Sequence, residues 1–149
     1  PGVGGNFLRL LQMVDRSITL PLGAIHNRRS LVYLGNLVDV IRLCLTHPNA
    51  AGNTFMVSDD EDVSTPGLIR RIRSALGHGS FLLPVPVAWM RWAGNLLGKR
   101  SAIDRLTGSL AVDSTPVQEK LDWLPPYSMR AGLALTAQWY RQHKSETIS

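Results

Sequence analysis

A single cysteine among 149 residues excludes an intramolecular disulfide and is at home in a reducing cytoplasm. Cys44 falls on the apolar side of a helix expected over 36–46, so it reads as core rather than as a nucleophile. Histidines 26, 47, 78 and 143 lack metal-ligand spacing, and no metal is expected. The acidic run Asp59-Asp60-Glu61-Asp62 lacks the spacing of a calcium loop and reads as a solvated loop. Repeats and low-complexity segments are missing. The opening residues do not read as a signal peptide, which a piece of a longer protein would lack in any case. Glycines 2, 4 and 5 do not make G-x-G-x-x-G, and no strand precedes them, so a dinucleotide cradle is not expected here. Tyr-x-x-x-Lys spacing occurs once, at Tyr140 and Lys144, at the end of the last amphipathic helix, and no catalytic role is assigned to it.

What is present describes an ordinary globular domain. Sixteen Lys and Arg against eleven Asp and Glu give a net charge of +5, with hydrophobic residues at 44%. The basic residues are spread along the chain, the densest groups being Arg28-Arg29, Arg70-Arg71-Arg73 and Lys99-Arg100. Without aromatic–basic interleaving, nucleic acid is not expected as a partner, and an anionic small ligand accounts for the charge.

Mixed α/β structure with about five helices and short strands is expected. Asn6 is placed as the cap of a helix reaching about Arg16, with Phe7, Leu10, Leu11 and Val14 facing inward. Residues 18–25 read as a strand, bent or at an edge because of Pro21. His26-Asn27-Arg28 turns it back into a second strand, 29–34, headed by Arg29. Asn36 is read as the cap of the 36–46 helix, whose stripe is Leu37, Val40, Ile41, Cys44 and Leu45. Residues 54–58 and 109–113 read as further strands. Thr65, as cap, and Pro66 open a helix with the stripe Leu68, Ile69, Ile72 and Leu76, closed by Gly77; Arg70, Arg71 and Arg73 are expected in solvent. Residues 84–100 read as one helix carrying Trp89 and Trp92. It is too short to span a membrane and has Arg91 in its middle, so it reads first as a core or lid helix and second as an interfacial one. Thr115-Pro116-Val117-Gln118 reads as a capping box, and Ser128 begins the last helix, with a tail fraying after Gln142.

Four stretches fall in one telling order: Pro1-Gly2-Val3-Gly4-Gly5-Asn6-Phe7, Leu20-Pro21-Leu22-Gly23, Arg29-Ser30 through Asp39, and Leu106-Thr107-Gly108-Ser109-Leu110-Ala111-Val112-Asp113. In that order they resemble the C-terminal half of NAD-dependent nucleotide-sugar epimerases and dehydratases, the extended short-chain dehydrogenase/reductase branch. The bacterial UDP-glucose and UDP-N-acetylglucosamine 4-epimerases of surface-polysaccharide synthesis are the most similar. The resemblance covers nearly all residues and implies an α/β substrate-binding lobe, residues 1–149, from which the Rossmann cofactor half is missing. Residues about 30–60 would pack with that half, which would bind NAD and hold the catalytic residues.

The resemblance also implies a site. Asn6 would contact the diphosphate or sugar, and Leu20, Pro21 and Leu22 would lie beside the base and ribose. Arg29 would pair with the diphosphate; the family's frequent Arg-Asp is Arg29-Ser30 here, and Arg28 competes with Arg29. Arg105 is the candidate for a second phosphate-binding arginine, with Arg100 competing, and Asp113 is a structural partner at a strand end. The implied reaction is transient oxidation at the sugar C4, an isomerase activity of a cytoplasmic parent enzyme. The 149 residues alone would bind UDP-sugar, supply no catalytic group, lack activity and self-associate. Another dehydratase or reductase of the same family, or a module docking to a membrane or partner, is the alternative.

Overall fold

A computed structural model describes residues 5–16, 19–79 and 82–144. The opening glycines at 2 and 4, Ile18 at the start of the expected first strand, and the tail from residue 145 lie outside the described residues. Seven α-helices follow one another among the described residues: α1 (Gly5–Asp15), α2 (Leu34–Thr46), α3 (Thr65–Leu76), α4 (Val87–Leu96), α5 (Arg100–Thr107), α6 (Thr115–Leu121) and α7 (Met129–Gln142), with a single 3₁₀ turn at Pro48–Ala50.

The apolar stripes of α1, α3 and α7 meet in one core. Leu11 and Val14 of α1, Leu68, Ile69, Ile72 and Leu76 of α3, and Met129, Leu133, Ala137 and Tyr140 of α7 are all buried. Side chains three and four residues apart share a helix face, which is why the α1 and α3 positions were legible as inward-facing. Burying an Ile or Leu of this kind stabilises by about 1.5–3 kcal/mol. A second, smaller cluster joins Val40 of α2 to Val117, Leu121 and Trp123, with Cys44 half-buried against it. Trp123 Nε1 donates to Asp39 at 2.9 Å and closes that cluster on the α2 side.

At α3 and α6 the cap position falls one residue before the expected one. Ser64, not Thr65, caps α3, accepting from the Gly67 N–H at 3.1 Å, and Gly77 closes it in the left-handed region at φ 81°. Ser128 caps α7 as expected. At α6 the cap position is Ser114, so the expected box does not form there. Asn6 lies inside the first turn of α1 and is exposed, not at the cap.

The strands do not form as expected. Among the described residues the extended segments pair only through isolated bridges: Leu20 with Leu82, Arg29 with Val63, and Arg29 with Leu110. A ladder needs a neighbouring strand of matching length, and 28–31 is flanked by two segments that each reach it for about one rung. Segment 54–58 has no bridge among the described residues. The 84–100 helix is also corrected: it breaks at Gly98, φ 65°, into α4 and α5.

The acidic run is not a solvated loop. Asp59 is buried, and its carboxylate accepts from the Tyr33 N–H at 2.8 Å and the Asn36 amide at 2.7 Å. Asp62 accepts from Ser30 Oγ and pairs with Arg28, and Glu61 pairs with Arg71. Asn36 is accordingly not a cap. It is the third residue of α2, fully buried; its amide donates to the Tyr127 carbonyl at 2.8 Å, and its oxygen accepts from the Tyr127 N–H at 2.9 Å. Arg73 departs from expectation too, buried with Nε and Nη1 unpartnered among the described residues. Ile41 and Leu45 face outward, not into the core.

One buried side chain thus ties α2, the acidic run and the segment leading into α7. Asn36→Ala orphans the Tyr127 N–H and C=O, and each buried unsatisfied group costs about 1–3 kcal/mol. A loss of about 3 kcal/mol in urea unfolding is expected; a change within about 0.5 kcal/mol, the range of neutral surface substitutions, would show that the clamp carries little.

Candidate functional site

The site grows from the backbone at 28–31. Arg29 N–H donates to Val63 O, and Val63 N–H donates back to Arg29 O, both at 2.9 Å. On the other side Ser30 N–H donates to Leu110 O, and Leu110 N–H to Arg28 O. Successive side chains of an extended backbone point to opposite faces, so Arg28 and Arg29 are sent apart. Arg28 runs outward, its side chain 76% exposed, and pairs with Asp62 at 2.7 Å. The Ser30 hydroxyl, followed by Arg28, holds the Asp62 carboxyl below the usual carboxylate range. Arg29 turns toward the end of α5, where its guanidinium donates to the backbone carbonyl of Arg105. Its Nε is buried and has no partner among the described residues.

The Arg29 side chain therefore meets the backbone, not the guanidinium, of Arg105, the other arginine expected at the diphosphate. Asn27, read as a turn residue, is what holds that backbone in place. It is buried, donates to Leu106 O at 3.2 Å and Gly108 O at 2.9 Å, and exchanges hydrogen bonds with Thr65. Those carbonyls end α5, so the Asn27 amide fixes the helix end that carries Arg105. An Asn beside a turn was the available signal, but its partners lie 38 to 81 residues away.

The other expected site residues are spread. Leu22 is buried in the main core, Leu20 is half-buried in its bridge to Leu82, and Pro21 is exposed. Phe7, next to Asn6, lines an apolar groove of about 370 Å³ with Leu31, Tyr33, Met129 and Leu133; Asn6, Arg29 and Arg105 are not among its walls. Asp113 accepts from the Thr115 N–H at 3.0 Å, and contact with Thr115 lowers its carboxyl, which is the structural role expected of it.

Tyr140 and Lys144 do not form a proton-transfer pair. The Tyr140 ring is buried and its hydroxyl donates to Asp15 at 3.3 Å, while Lys144 pairs with Asp15 at 2.6 Å and His78 approaches the same carboxylate at 3.1 Å. Burial, then the Asp15 charge, pushes the Tyr140 phenol up, whereas a base working near neutral pH needs it brought down. Tail residues His143 and Lys144 are thereby tied rather than frayed, His143 stacking on Trp139.

By comparison with known proteins the chain resembles the nucleotide-sugar 4-epimerases, as its ordered motifs implied. It is 45% identical over 143 residues, 95% of the chain, to the UDP-glucose 4-epimerase of Vibrio cholerae, of which it spans 44%. It is 24% identical over 93% of its length to the N-acetyl-alpha-D-glucosaminyl-diphospho-ditrans,octacis-undecaprenol 4-epimerase of Escherichia coli O157:H7, spanning 45% of that protein. An uncharacterized protein of Sinorhizobium fredii is 25% identical over 79% of the chain. The chain thus spans less than half the length of the curated relatives it matches. No family model matches it.

The Asp15 cluster makes a pH prediction. Burial pushes the Asp15 carboxyl up, but hydrogen bonds from Lys144, His78 and Tyr140 outweigh it and hold the carboxyl below its ordinary 3.8. Its contribution to stability is complete above that value and is lost as the pH falls below it. Lys144, raised by the same contact, keeps its contribution up to its ordinary 10.5 and loses it above. Asp15→Asn is expected to lower the urea midpoint at neutral pH and flatten the acid limb; an unchanged acid limb would assign that limb to other carboxylates.

Proposed function

We propose that this chain is the UDP-sugar-binding part of an NAD-dependent nucleotide-sugar 4-epimerase acting in cytoplasmic surface-polysaccharide synthesis. The observation that carries this reading is the 45% identity, over 95% of the chain, to a UDP-glucose 4-epimerase; the Arg29 guanidinium at the end of α5 is the group it assigns to the diphosphate. An arginine suits a diphosphate, because the planar guanidinium offers forked donors to phosphate oxygens. On this reading Asn6, exposed at the start of α1, reaches the diphosphate or sugar, and the 20–22 segment flanks the base through Leu20 and Pro21, Leu22 anchoring it in the core.

NAD, when bound by the remainder of the protein, supplies the hydride chemistry. The residues of this chain bind and orient: they hold the diphosphate so that the sugar is presented to the other half. None is assigned a catalytic role, and the chain alone is expected to be inactive. A lipid-linked sugar diphosphate is the second reading. The Escherichia coli relative is named for such a substrate, and the exposed Trp89 and Trp92 lie on the helix preceding the one that carries Arg105.

The apolar outer side of α2 belongs to the same proposal. Leu34, Val38, Ile41 and Leu45 are exposed there, with Met56 beyond the turn. A row of this kind is a surface made to be covered, and the proposed occupant is the cofactor half. Without it, the isolated chain is expected to self-associate at micromolar concentration in light scattering, and Val38→Lys with Leu45→Lys to return it to monomer. A wild-type chain that stays monomeric would count against this assignment.

In the intact protein, Arg29→Ala is expected to weaken UDP binding by about 1.5–3 kcal/mol, roughly 10- to 150-fold, and to raise KM more than it lowers kcat. Arg28→Ala removes only an exposed ion pair and should change affinity little. Calorimetric titration with UDP decides it. Equal losses in both variants, or none in Arg29→Ala, would take the diphosphate away from Arg29.

A further inference from the structure

We propose that the hairpin of α4 and α5 is a docking surface for an anionic lipid bilayer. α4 presents two unlike faces. Met90 and Gly94 turn inward, and Ile103 of α5 lies so close over Gly94 that no Cβ fits without displacing it. Opposite them, at spacings of three and four, Trp89, Trp92 and Leu96 point away from the body, followed by Leu97. They are 73%, 68%, 68% and 71% exposed, so they protrude as a ridge rather than line a groove.

The charge around this ridge is of one sign. Arg91, Lys99, Arg100 and Arg105 stand against a single acid, Asp104, which already receives Arg91 at 3.4 Å and Arg100 at 3.8 Å. Tryptophan rings sit at the level of lipid headgroups because one edge is apolar and the N–H is polar. Basic side chains beside them complement anionic headgroups, and together they describe a short helix lying in the interface plane. No helix among the described residues is long and apolar enough to cross a membrane, so contact is at the surface. Charge complementarity of this kind distinguishes a lipid surface from a second copy of the chain, whose ridge would carry the same positive charge. Docked this way, Arg105, seven residues beyond Gly98, stands about 10 Å from the tip of the hairpin.

Flotation of the intact protein with vesicles tests this independently of nucleotide binding. Binding is expected to vesicles with about 30% phosphatidylglycerol, to weaken at about 1 M salt, and to be slight on phosphatidylcholine alone. Trp89→Ser with Trp92→Ser should reduce the bound fraction about tenfold, and Lys99→Glu with Arg100→Glu should abolish the preference for anionic lipid. All four positions are exposed, and circular dichroism checks that the variants fold. Absence of binding, equal binding by the variants, or a Trp89- and Trp92-dependent dimer in light scattering without vesicle binding would each overturn the proposal.

Discussion

The structure depends on the backbone of residues 28–31 being hydrogen-bonded on both sides by segments far away in the chain. Arg28 and Ser30 exchange bonds with Leu110, Arg29 with Val63, and the Leu31 carbonyl accepts from Asp59. The Ser30 hydroxyl adds Asp62 on one side and the Val112 N–H on the other. A buried backbone polar group left unpaired costs as much as a lost hydrogen bond, so these few rungs fix where the 59–63 and 110–112 segments lie. The position of Arg29 is a consequence of that pairing. Its side chain is aimed by the extended backbone, and the partner it reaches is the end of a helix that Asn27 holds in place.

The same constraint explains why the acidic run is not a solvated face. Four adjacent acids repel one another, and a local reading sends them to water. Here each acid is drawn to a different partner: Asp59 to Tyr33 and Asn36, Asp60 to Ser114, Glu61 to Arg71 and Asp62 to Arg28. Asp60 takes φ 58°, a conformation that Asn and Asp tolerate better than most residues, and lets the chain redirect successive carboxylates. Partners 10 to 54 residues distant are not visible from the run itself.

Legibility therefore followed the range of the interaction. The stripe of α3 and the caps at Ser128 and Gly77 depend on neighbours within one turn, and all are readable from the sequence. Asn36 and Asn27 carry the same amide as a helix cap, but their partners are tertiary, and the local signal led to the wrong role for Asn36. Arg73 is buried although its own polarity sends it to water, with Nε and Nη1 unpartnered among the described residues. At the candidate site the order of motifs offered Arg28 and Arg29 alike, and that Arg28 is held by Asp62 while Arg29 turns to the end of α5 depends on partners 34 and 76 residues away. The break after α4 rests on the positive φ of Gly98, which the apolar pattern of 84–100 does not announce.

The two cores differ in what they require of the rest of the protein. The α1–α3–α7 core is closed by its own stripes and by the Asp15 cluster at one end. The cluster under α2 has four buried residues, and α2 carries as much apolar surface outward as inward. A helix apolar on both sides is normally sandwiched, and a helix anchored by one polar clamp at Asn36 and one at Asp39 is placed with little apolar cost on its inner side. On the proposed reading this is how two halves of an enzyme share an element. Hydrogen bonds with strict geometry hold α2 to the substrate-binding part, while non-directional apolar burial joins it to the cofactor half. Arg29, bonded to the end of α5, then keeps its place relative to a seam that packing can close.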